Sequence, residues 1–402
     1  MTAFAMLLPG VSSQRGWRVA KLDTALISVV AAIASIGLVM VASASMPVAE
    51  RLQLDTLHYL IRQSIYIVMG IALGLIVLRV PLQWWQNSGF ACLLAALGLL
   101  ALVLVPGVGY EVNGSTRWIN LGLFRLQVSE VAKFLMIVYM ASYLVRHREE
   151  IQNTTAAFLK PMLVVAIAAF LLLMEPDFGT TVVMTATVLV MMYMGGVSVW
   201  KFITLLSVSG VSLYALAVTS TYRMKRLTGF MDPWDDPYDS GFQLTQSLIA
   251  IGRGEWLGVG LGASIQKLFY LPEAHTDFVF AVMAEELGLV AVAFVLGLYA
   301  FVVWRCYRIA FRAFAANSIF AGYVAYGVGT WIALQTLINV GVNTGVLPTK
   351  GLTLPFMSYG GSSLLALSAA MALVLRVDYE TAGTRKGISA VATKRRNSGG
   401  RR

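Results

Sequence analysis

Long apolar stretches alternate with short polar ones along most of the chain, as expected of a protein that crosses a membrane repeatedly. A predominantly apolar stretch of about 20 residues is long enough to span a bilayer as a helix. The pattern predicts ten such helices, some of them short or interrupted by Gly and Pro. They cover residues 23–45, 61–79, 88–106, 130–145, 161–174, 179–196, 201–220, 276–304, 317–345 and 359–376. We therefore expect an all-α integral membrane protein of about ten transmembrane helices.

One connecting segment, residues 221–275, is far longer than the others. Apolar residues such as Trp234, Trp256 and Phe269 make it too hydrophobic for a free linker. We expect a large outer (periplasmic) loop of short amphipathic helices at the membrane surface. The predicted organisation is an N-terminal tail (1–22), a membrane domain (23–376) and a basic, disordered C-terminal tail (377–402).

The composition supports a membrane protein. Hydrophobic residues make up 58% of the chain and charged residues 12%, whereas soluble domains carry about 25% charged residues. The formal net charge is +10, and eight of the thirty Lys and Arg residues lie in the last 27 positions. A basic end after the last apolar run is typical of a cytoplasmic tail that faces anionic lipids. No aromatic-interleaved basic fold accompanies it, so we do not expect nucleic-acid binding.

The distribution of basic residues predicts the orientation of the helices. The segments 146–160 and 305–316 carry three Lys or Arg each, whereas 46–60 carries one and 175–178 carries none. Because basic residues are enriched in cytoplasmic loops, both termini are predicted to be cytoplasmic.

Few residues of the chain suggest a cleavage site, a disulfide or a metal site. The first apolar run ends in Ala42-Ser43-Ala44, but it exceeds the ~7–15 residues of a signal-peptide core, which favours an uncleaved anchor helix. Cys92 and Cys306 are far apart and are predicted to be packing residues. The three histidines show no metal-ligand spacing, so we expect no zinc site.

Polar residues gather in five clusters on the predicted outer side, with no matching set inside. Ionisable groups near membrane depth are costly and therefore indicate function. The clusters cover residues 113–134, 175–179, 222–226, 272–288 and 345–363. The outer face is therefore the predicted working face.

The charges in these clusters suggest an anionic substrate and a general base. Basic side chains could neutralise a phosphate or diphosphate. The candidates are Lys133, Arg223, Lys225, Arg226 and Lys350. Asp277 lies at the start of a long apolar helix, where burial would raise its pKa from about 3.9 towards the working pH of a base. Gly360 and Gly361 would let the backbone approach a ligand or begin a helix closely.

Each of these residues also has a structural interpretation. Asp277 could be a charge favoured by a helix N-terminus, and the 222–226 cluster could anchor lipid headgroups. Trp118 could belong to the aromatic belt at the membrane interface. Glu285 and Glu286 could pair with basic residues inside the bundle.

A set of motifs follows in order along residues 20–380. They read NGSTRWI, SEVAK, EPDFG, YRMKRLTGF, DPWDDPYDSGFQLTQS, GRGEWLGVGLG, PEAHTDFVFAVMAEELG and LPTKGLTLPFMSYGGSS. The ordered set resembles the SEDS family (shape, elongation, division and sporulation). The PTKG version around Lys350 is similar to the family's proteobacterial division branch.

The resemblance implies a peptidoglycan glycosyltransferase that polymerises lipid II at the division septum, on the outer face of the bacterial inner membrane. It implies a class B penicillin-binding protein and other divisome membrane proteins as partners. Asp277 matches the family's essential aspartate. Trp118, Lys133, Arg223 and Lys350 match other positions of functional interest. Glu175, Asp177, Arg226, His275, Ser358 and Gly360 complete the candidate substrate-binding residues.

The implied reaction is an inverting transfer with undecaprenyl diphosphate as leaving group. A divalent cation (Mg or Mn) could assist at the diphosphate, although no carboxylate cage in the sequence demands one. Two other functions stay open at this stage. A lipid II flippase would also show many helices and intramembrane charges, but it needs groups at the midplane and an inner gate. A non-catalytic divisome scaffold would need no common polar cavity.

Overall fold

The structure, a computed structural model, describes residues 22–112, 115–120, 122, 124–219, 232–235, 241–348 and 351–399. Its helices are α1 (Thr24–Arg51), α2 (His58–Arg79), α3 (Leu82–Asn87), α4 (Gly89–Val103), α5 (Val128–Arg146), α6 (Glu150–Asn153), α7 (Thr155–Met174), α8 (Phe178–Met194), α9 (Val199–Val218), α10 (Phe242–Gly254), α11 (Val279–Ala315), α12 (Ile319–Asn343) and α13 (Gly361–Gly399). Its strands are β1 (Gly109–Val112), β2 (Ser115–Asn120) and β3 (Arg125–Gln127).

Each of the ten predicted apolar runs overlaps one of these helices. Within the part of the chain that the structure describes, six helices are long and apolar enough to cross a membrane. They are α1, α2, α5, α7, α11 and the Gly361–Ala382 part of α13. Helices α4 and α8 are apolar but shorter. The helical membrane class is confirmed, while the number of ten crossings stays a prediction.

Two of the six helices form the centre of the bundle. In α5 and α13, 83% of the most apolar window is buried, against 22–33% in α1, α2, α7 and α11. The outer four therefore present most of their aliphatic side chains to lipid. Polar residues are found on the central helices, because buried polar groups need partners that lipid cannot supply. Helix α13 continues to Gly399, and no proline interrupts residues 377–399. The disorder predicted for the C-terminal tail stays a prediction.

A small antiparallel sheet, which the sequence analysis did not predict, precedes α5. Strand order is β1-β2-β3, with Trp118 opposite Tyr110 on one side and Gln127 on the other. The sheet is attached to the start of α13. The main-chain N–H of Gln127 donates to Oγ of Ser362 (2.8 Å), and that hydroxyl donates to the carbonyl of Arg125 (3.0 Å).

Helix α10 confirms the prediction of an amphipathic helix in the long connecting segment. Its buried residues are Leu244, Thr245, Ser247, Ala250 and Gly254. Oγ of Ser247 donates to the carbonyl of Asn343 (2.8 Å), which ties α10 to the end of α12.

Helix α11 is broken at Gly288, although the sequence predicted a continuous helix. Gly288 has φ 75° and ψ −179°, so the regular hydrogen bonds are interrupted on both sides. Residues 255–260 fill the gap in the manner of a strand. Val259 and Gly260 donate to the carbonyls of Glu285 and Glu286 (both 3.0 Å). After the break, Leu289 and Val290 donate to the carbonyls of residues 255 (2.9 Å) and 256 (3.1 Å).

Two carboxylates beside this break are fully buried and fully paired. Glu286 accepts from Nζ of Lys267 (2.7 Å) and from Oγ of Ser43 (2.7 Å). Glu285 accepts from Arg253 (2.9 Å), from the hydroxyl of Ser264 and from two main-chain N–H groups. The interpretation that both residues pair with basic groups inside the bundle is confirmed. We call Glu285, Glu286 and the side chains that donate to them the break clamp.

Candidate active site

Asp277 lies two residues before α11, and its main chain is fixed by α12. The carbonyl of Asp277 accepts from Nδ2 of Asn339 (3.0 Å) and of Asn343 (3.1 Å), which are one turn apart. Oδ1 of Asn343 in turn accepts from the N–H of Ala281 (3.3 Å). These bonds hold the start of α11 in place and leave the side chain of Asp277 available.

The carboxylate of Asp277 faces the backbone of Gly351. A methyl group on Gly351 would lie 2.8 Å from Oδ2, so only glycine leaves this space free. Among the described residues, none donates a hydrogen bond to the carboxylate or forms an ion pair with it. The pKa of Asp277 is raised to about 7, mainly by burial; Glu273 and Asp177 also act to raise it, and Arg117 acts to lower it. Near neutral pH the group can therefore both accept and release a proton, as a general base must.

Asp177 belongs to the tight turn between α7 and α8 (residues 175–177), which we call the polar turn. Its Oδ1 accepts from the N–H of Thr180 (3.1 Å) and caps α8. Its Oδ2 accepts from Oγ of Ser129 on α5 (3.1 Å). Both oxygens are engaged, so Asp177 stabilises the junction of three helices.

Glu175, in the same turn, has no such partners. The residue is fully buried, and both of its carboxyl oxygens lack a hydrogen bond from the described residues. The pKa of Glu175 is raised to about 8, mainly by burial; the charge of Asp177 also acts to raise it, and Arg117 acts to lower it. At neutral pH Glu175 is therefore mostly an uncharged acid.

Arg117 connects the sheet to the polar turn. From strand β2, its Nε donates to the carbonyl of Glu175 (3.0 Å) and its Nη2 to the carbonyl of Pro176 (2.6 Å). The neighbouring Trp118, a predicted site residue, is partly buried within the sheet.

Lys133, predicted to contact phosphate, lies inside the bundle. Only 2% of the residue is exposed, and its Nζ donates to Glu130 (2.8 Å) and to Oε1 of Gln335 (2.8 Å). The ammonium also lies 5.0 Å from the ring centroid of Trp331. Gln335 donates to the carbonyl of Thr353 (2.9 Å), so Lys133 reaches the loop beside Asp277 indirectly.

His275 and the 355–360 loop form an aromatic corner next to Asp277. The ring of His275 lies 4.9 Å from that of Tyr59 and 5.6 Å from that of Tyr359. The N–H of Tyr359 donates to the carbonyl of His275 (3.0 Å). Burial lowers the pKa of His275, with Glu273 opposing, so the ring is neutral at pH 7.

Ser358 and Gly360 shape the same loop. Oγ of Ser358 accepts from the N–H of Leu354 (2.8 Å), and its carbonyl accepts from Gln63 (3.2 Å). The carbonyl of Gly360 accepts from Leu364 at the start of α13. The closer approach is at Gly361, where a methyl group would lie 2.6 Å from the ring of Tyr66. The backbone therefore begins α13 tightly at Gly361, as the glycine pair suggested.

The structure gathers Asp277, Asp177, Glu175 and His275 at one end of the bundle. The predicted basic residues Arg223, Arg226 and Lys350 lie outside the described residues. Sequence reasoning placed Arg117 in the outer cluster 113–134 without making it a site residue, and it missed Gly351 and the two asparagines of α12. The asparagines offered a signal, since two amides spaced i, i+4 in an apolar helix must face a polar partner.

Two comparisons by sequence identify relatives. The FtsW/RodA/SpoVE family model, described as "Cell cycle protein", matches residues 23–383. A protein named probable peptidoglycan glycosyltransferase FtsW from Thioalkalivibrio sulfidiphilus is 56% identical over 361 residues, which is 90% of each chain. A protein of the same name from Halorhodospira halophila is 52% identical over 384 residues, 95% of this chain and 97% of the relative.

Solved structures share the fold. A chain from a peptidoglycan synthase complex that coordinates polymerization and crosslinking aligns with a TM-score of 0.75 at 29% identity. The alignment covers 91% of this chain and 99% of the other. The rod shape determining protein RodA from Thermus thermophilus aligns with a TM-score of 0.66 at 29% identity, covering 89% and 96%.

Proposed function

The chain belongs to the FtsW, RodA and SpoVE family of cell cycle proteins, and from this premise we infer that Asp277 is the general base of lipid II polymerisation. The protein is a peptidoglycan glycosyltransferase with a role in cell division, and it is a multi-pass membrane protein. The observation that supports our inference is the carboxylate of Asp277, which is half-enclosed, has no partner among the described residues and has a pKa of about 7.

The proposed reaction begins with a proton transfer. The carboxylate of Asp277 removes the proton from a sugar hydroxyl of the acceptor. That oxygen then attacks the anomeric carbon of the donor. The bond from this carbon to the diphosphate oxygen breaks, and the electron pair leaves with undecaprenyl diphosphate. Attack from the opposite side inverts the configuration and gives a β-linked glycan.

The surrounding residues would prepare Asp277 for this step. The bonds from Asn339 and Asn343 hold its main chain, and the neutral ring of His275 adds no positive charge that would lower the pKa of the base. Gly351 leaves room at Oδ2 for the acceptor hydroxyl. A general base contributes typically 10²–10⁴-fold to a rate.

Positive groups must stabilise the charge that builds on the diphosphate. We propose Arg223, Arg226 and Lys350 for direct contacts, on the strength of their motifs. Lys133, with its ammonium engaged by Glu130 and Gln335, would act by holding the 351–354 loop. Among the described residues, no group of three or more His, Cys, Asp or Glu side chains could hold a metal ion. Mg or Mn at the diphosphate oxygens stays an expectation.

The cellular setting is also part of the proposal. One structural relative belongs to a complex that combines polymerization with crosslinking, which supports a class B penicillin-binding protein as partner. We propose that the protein works with that partner and other divisome membrane proteins at the septum, with both termini in the cytoplasm.

The decisive experiment is lipid II polymerisation by the purified protein with its penicillin-binding partner. Wild type should produce glycan strands, and Asp277→Ala should lose at least about 10²-fold in rate. Gly297→Ala serves as the control, because a methyl group at this α11 position would meet no atom within 4 Å.

Two outcomes would count against the proposal in different ways. Strands made by Asp277→Ala at the wild-type rate would refute the base. If wild type makes none with the partner present, lipid II transport and a scaffold role become the functions to test.

A further inference from the structure

Arg117 is a described basic residue whose positive charge lowers the pKa of Asp277. The two residues are also joined structurally through the loop after residue 350. Gly179, just after the polar turn, packs so closely on Leu352 that a methyl group would lie 2.9 Å from Cγ. Gly351 in turn borders the carboxylate of Asp277. Arg117, held at the polar turn, is therefore separated from Asp277 by one loop.

The guanidinium of Arg117 is held in place, and no described residue neutralises its charge. Its two hydrogen bonds go to main-chain carbonyls, which carry partial and not full negative charges. No described carboxylate lies within ion-pair distance of it. Nε and Nη2 are engaged, whereas Nη1 donates to no described acceptor.

The two acids of the polar turn do not neutralise the positive charge of Arg117. Asp177 uses both oxygens for Ser129 and the start of α8. Glu175 is buried, and its pKa of about 8 keeps it mostly uncharged at neutral pH. An arginine that is held in place, with Nη1 unused and no charge partner among the described residues, offers the positive charge and the N–H donors that bind a phosphate group.

We propose that Arg117 binds the diphosphate of the lipid-linked substrate, presented by the sheet and oriented by the carbonyls of the polar turn. The proposal rests on the proposed function, because the ligand is the lipid-linked diphosphate of that reaction. Arg117 would then form an ion pair with the diphosphate next to Asp277. Negative charge develops on this diphosphate as its bond to the donor sugar breaks.

Binding of two probes tests this without requiring turnover. The full-length protein in detergent micelles is titrated with undecaprenyl diphosphate and, separately, with undecaprenol, which lacks the charged group. Arg117→Gln should weaken diphosphate binding by about 10–100-fold, as expected for a lost charge-assisted hydrogen bond. Its affinity for undecaprenol should equal that of wild type.

Two further variants separate binding from a structural role. Arg117→Lys keeps the charge but not the two-point attachment, so it should lose less than Arg117→Gln. Arg51→Gln removes an arginine that lies 5.3 Å from the ring centroid of Phe269, and it should keep the wild-type preference for the diphosphate. This control accounts for the loss of one positive charge.

The outcomes distinguish this inference from the proposed function. Unchanged diphosphate affinity in Arg117→Gln, or an equal loss for both probes, would overturn the assignment of Arg117. Polymerisation by wild type together with that result would leave the glycosyltransferase reaction intact. Absence of polymerisation would count against the proposed function alone, since the binding comparison does not depend on it.

Discussion

Two carboxylate sites at the same end of α11 differ in burial and in charge pairing. Glu285 and Glu286, beside the break at Gly288, are fully buried and each has a cationic partner. Asp277, less than three turns before them, is partly exposed and has no cationic partner among the described residues. One site holds loops together, and the other keeps a reactive group available.

The difference shows how one helix can combine a rigid support with a reactive group. A buried charge without a partner is costly, so the break clamp is stable only while its pairs are intact. The carboxylate of Asp277 avoids most of that cost by taking up a proton, because its pKa lies near neutrality. The pairs therefore supply structure, and the group without a described partner is the one that we propose for chemistry.

The largest effect should follow from removing the cation of the break clamp. Lys267→Met leaves Glu286 buried with only Ser43 as partner, and we expect a loss of about 3–5 kcal/mol in the free energy of unfolding. Thermal unfolding in detergent measures it. Adding Glu286→Gln should recover part of the loss, since no buried charge then remains. Equal stability of Lys267→Met and wild type would mean that the clamp is not a structural unit.

Removing the charge at Asp277 should have the opposite sign. The folded pKa of about 7 lies above the reference of about 3.9, so the folded protein binds the proton more tightly than the unfolded chain. Stability is therefore lost as pH rises from about 4 to 7. Asp277→Asn should be more stable than wild type by roughly 1–3 kcal/mol at pH 8 and equal to it near pH 4. A destabilised Asp277→Asn at pH 8 would contradict the comparison.

A smaller change tests the space in front of the carboxylate. Gly351→Ala places a methyl group 2.8 Å from Oδ2 of Asp277, which must move. We expect the polymerisation rate to fall by about 10–100-fold with thermal stability little changed. Gly297→Ala is the matched control on α11. A rate equal to that of the control would show that Oδ2 needs no free space at Gly351.

The smallest effect concerns the neighbouring charge of Glu273, which raises the pKa of Asp277. Because Glu273 is exposed, its influence is screened. Glu273→Gln should shift the acidic limb of the pH–rate profile to lower pH by less than about one unit. Arg117→Gln, which removes a charge that lowers this pKa, should shift the limb to higher pH. Shifts in the same direction for both variants would exclude Asp277 as the titrating base.

Local signals in the sequence predicted much of this arrangement. Apolar runs located the helices, and the gap between the runs 161–174 and 179–196 located the connection between α7 and α8. Asp277 was singled out because it precedes a long apolar run, and the structure places it two residues before α11. These features depend on residues that are neighbours in the sequence, so sequence patterns alone predict them.

The remaining features depend on distant contacts. The sheet is stabilised by its attachment to Ser362, more than 230 residues after Gln127, and its short strands lack a clear alternating pattern. The break at Gly288 needs residues 255–260 to satisfy the interrupted helix. The orientation of Arg117 depends on the carbonyls of Glu175 and Pro176, which lie beside it only in the folded chain. Periodicity carries no information about such pairings.

The bond between Ser43 and Glu286 also constrains the order of biosynthesis. It joins residues 243 positions apart, so at about 5–20 residues per second α1 emerges from the ribosome roughly 12–50 s before its partner is made. Until then the first helix cannot complete its contacts with α11 and Lys267. The segment that supports Asp277 is thus finished late, and a nascent chain holding only the early helices has not yet assembled the candidate active site.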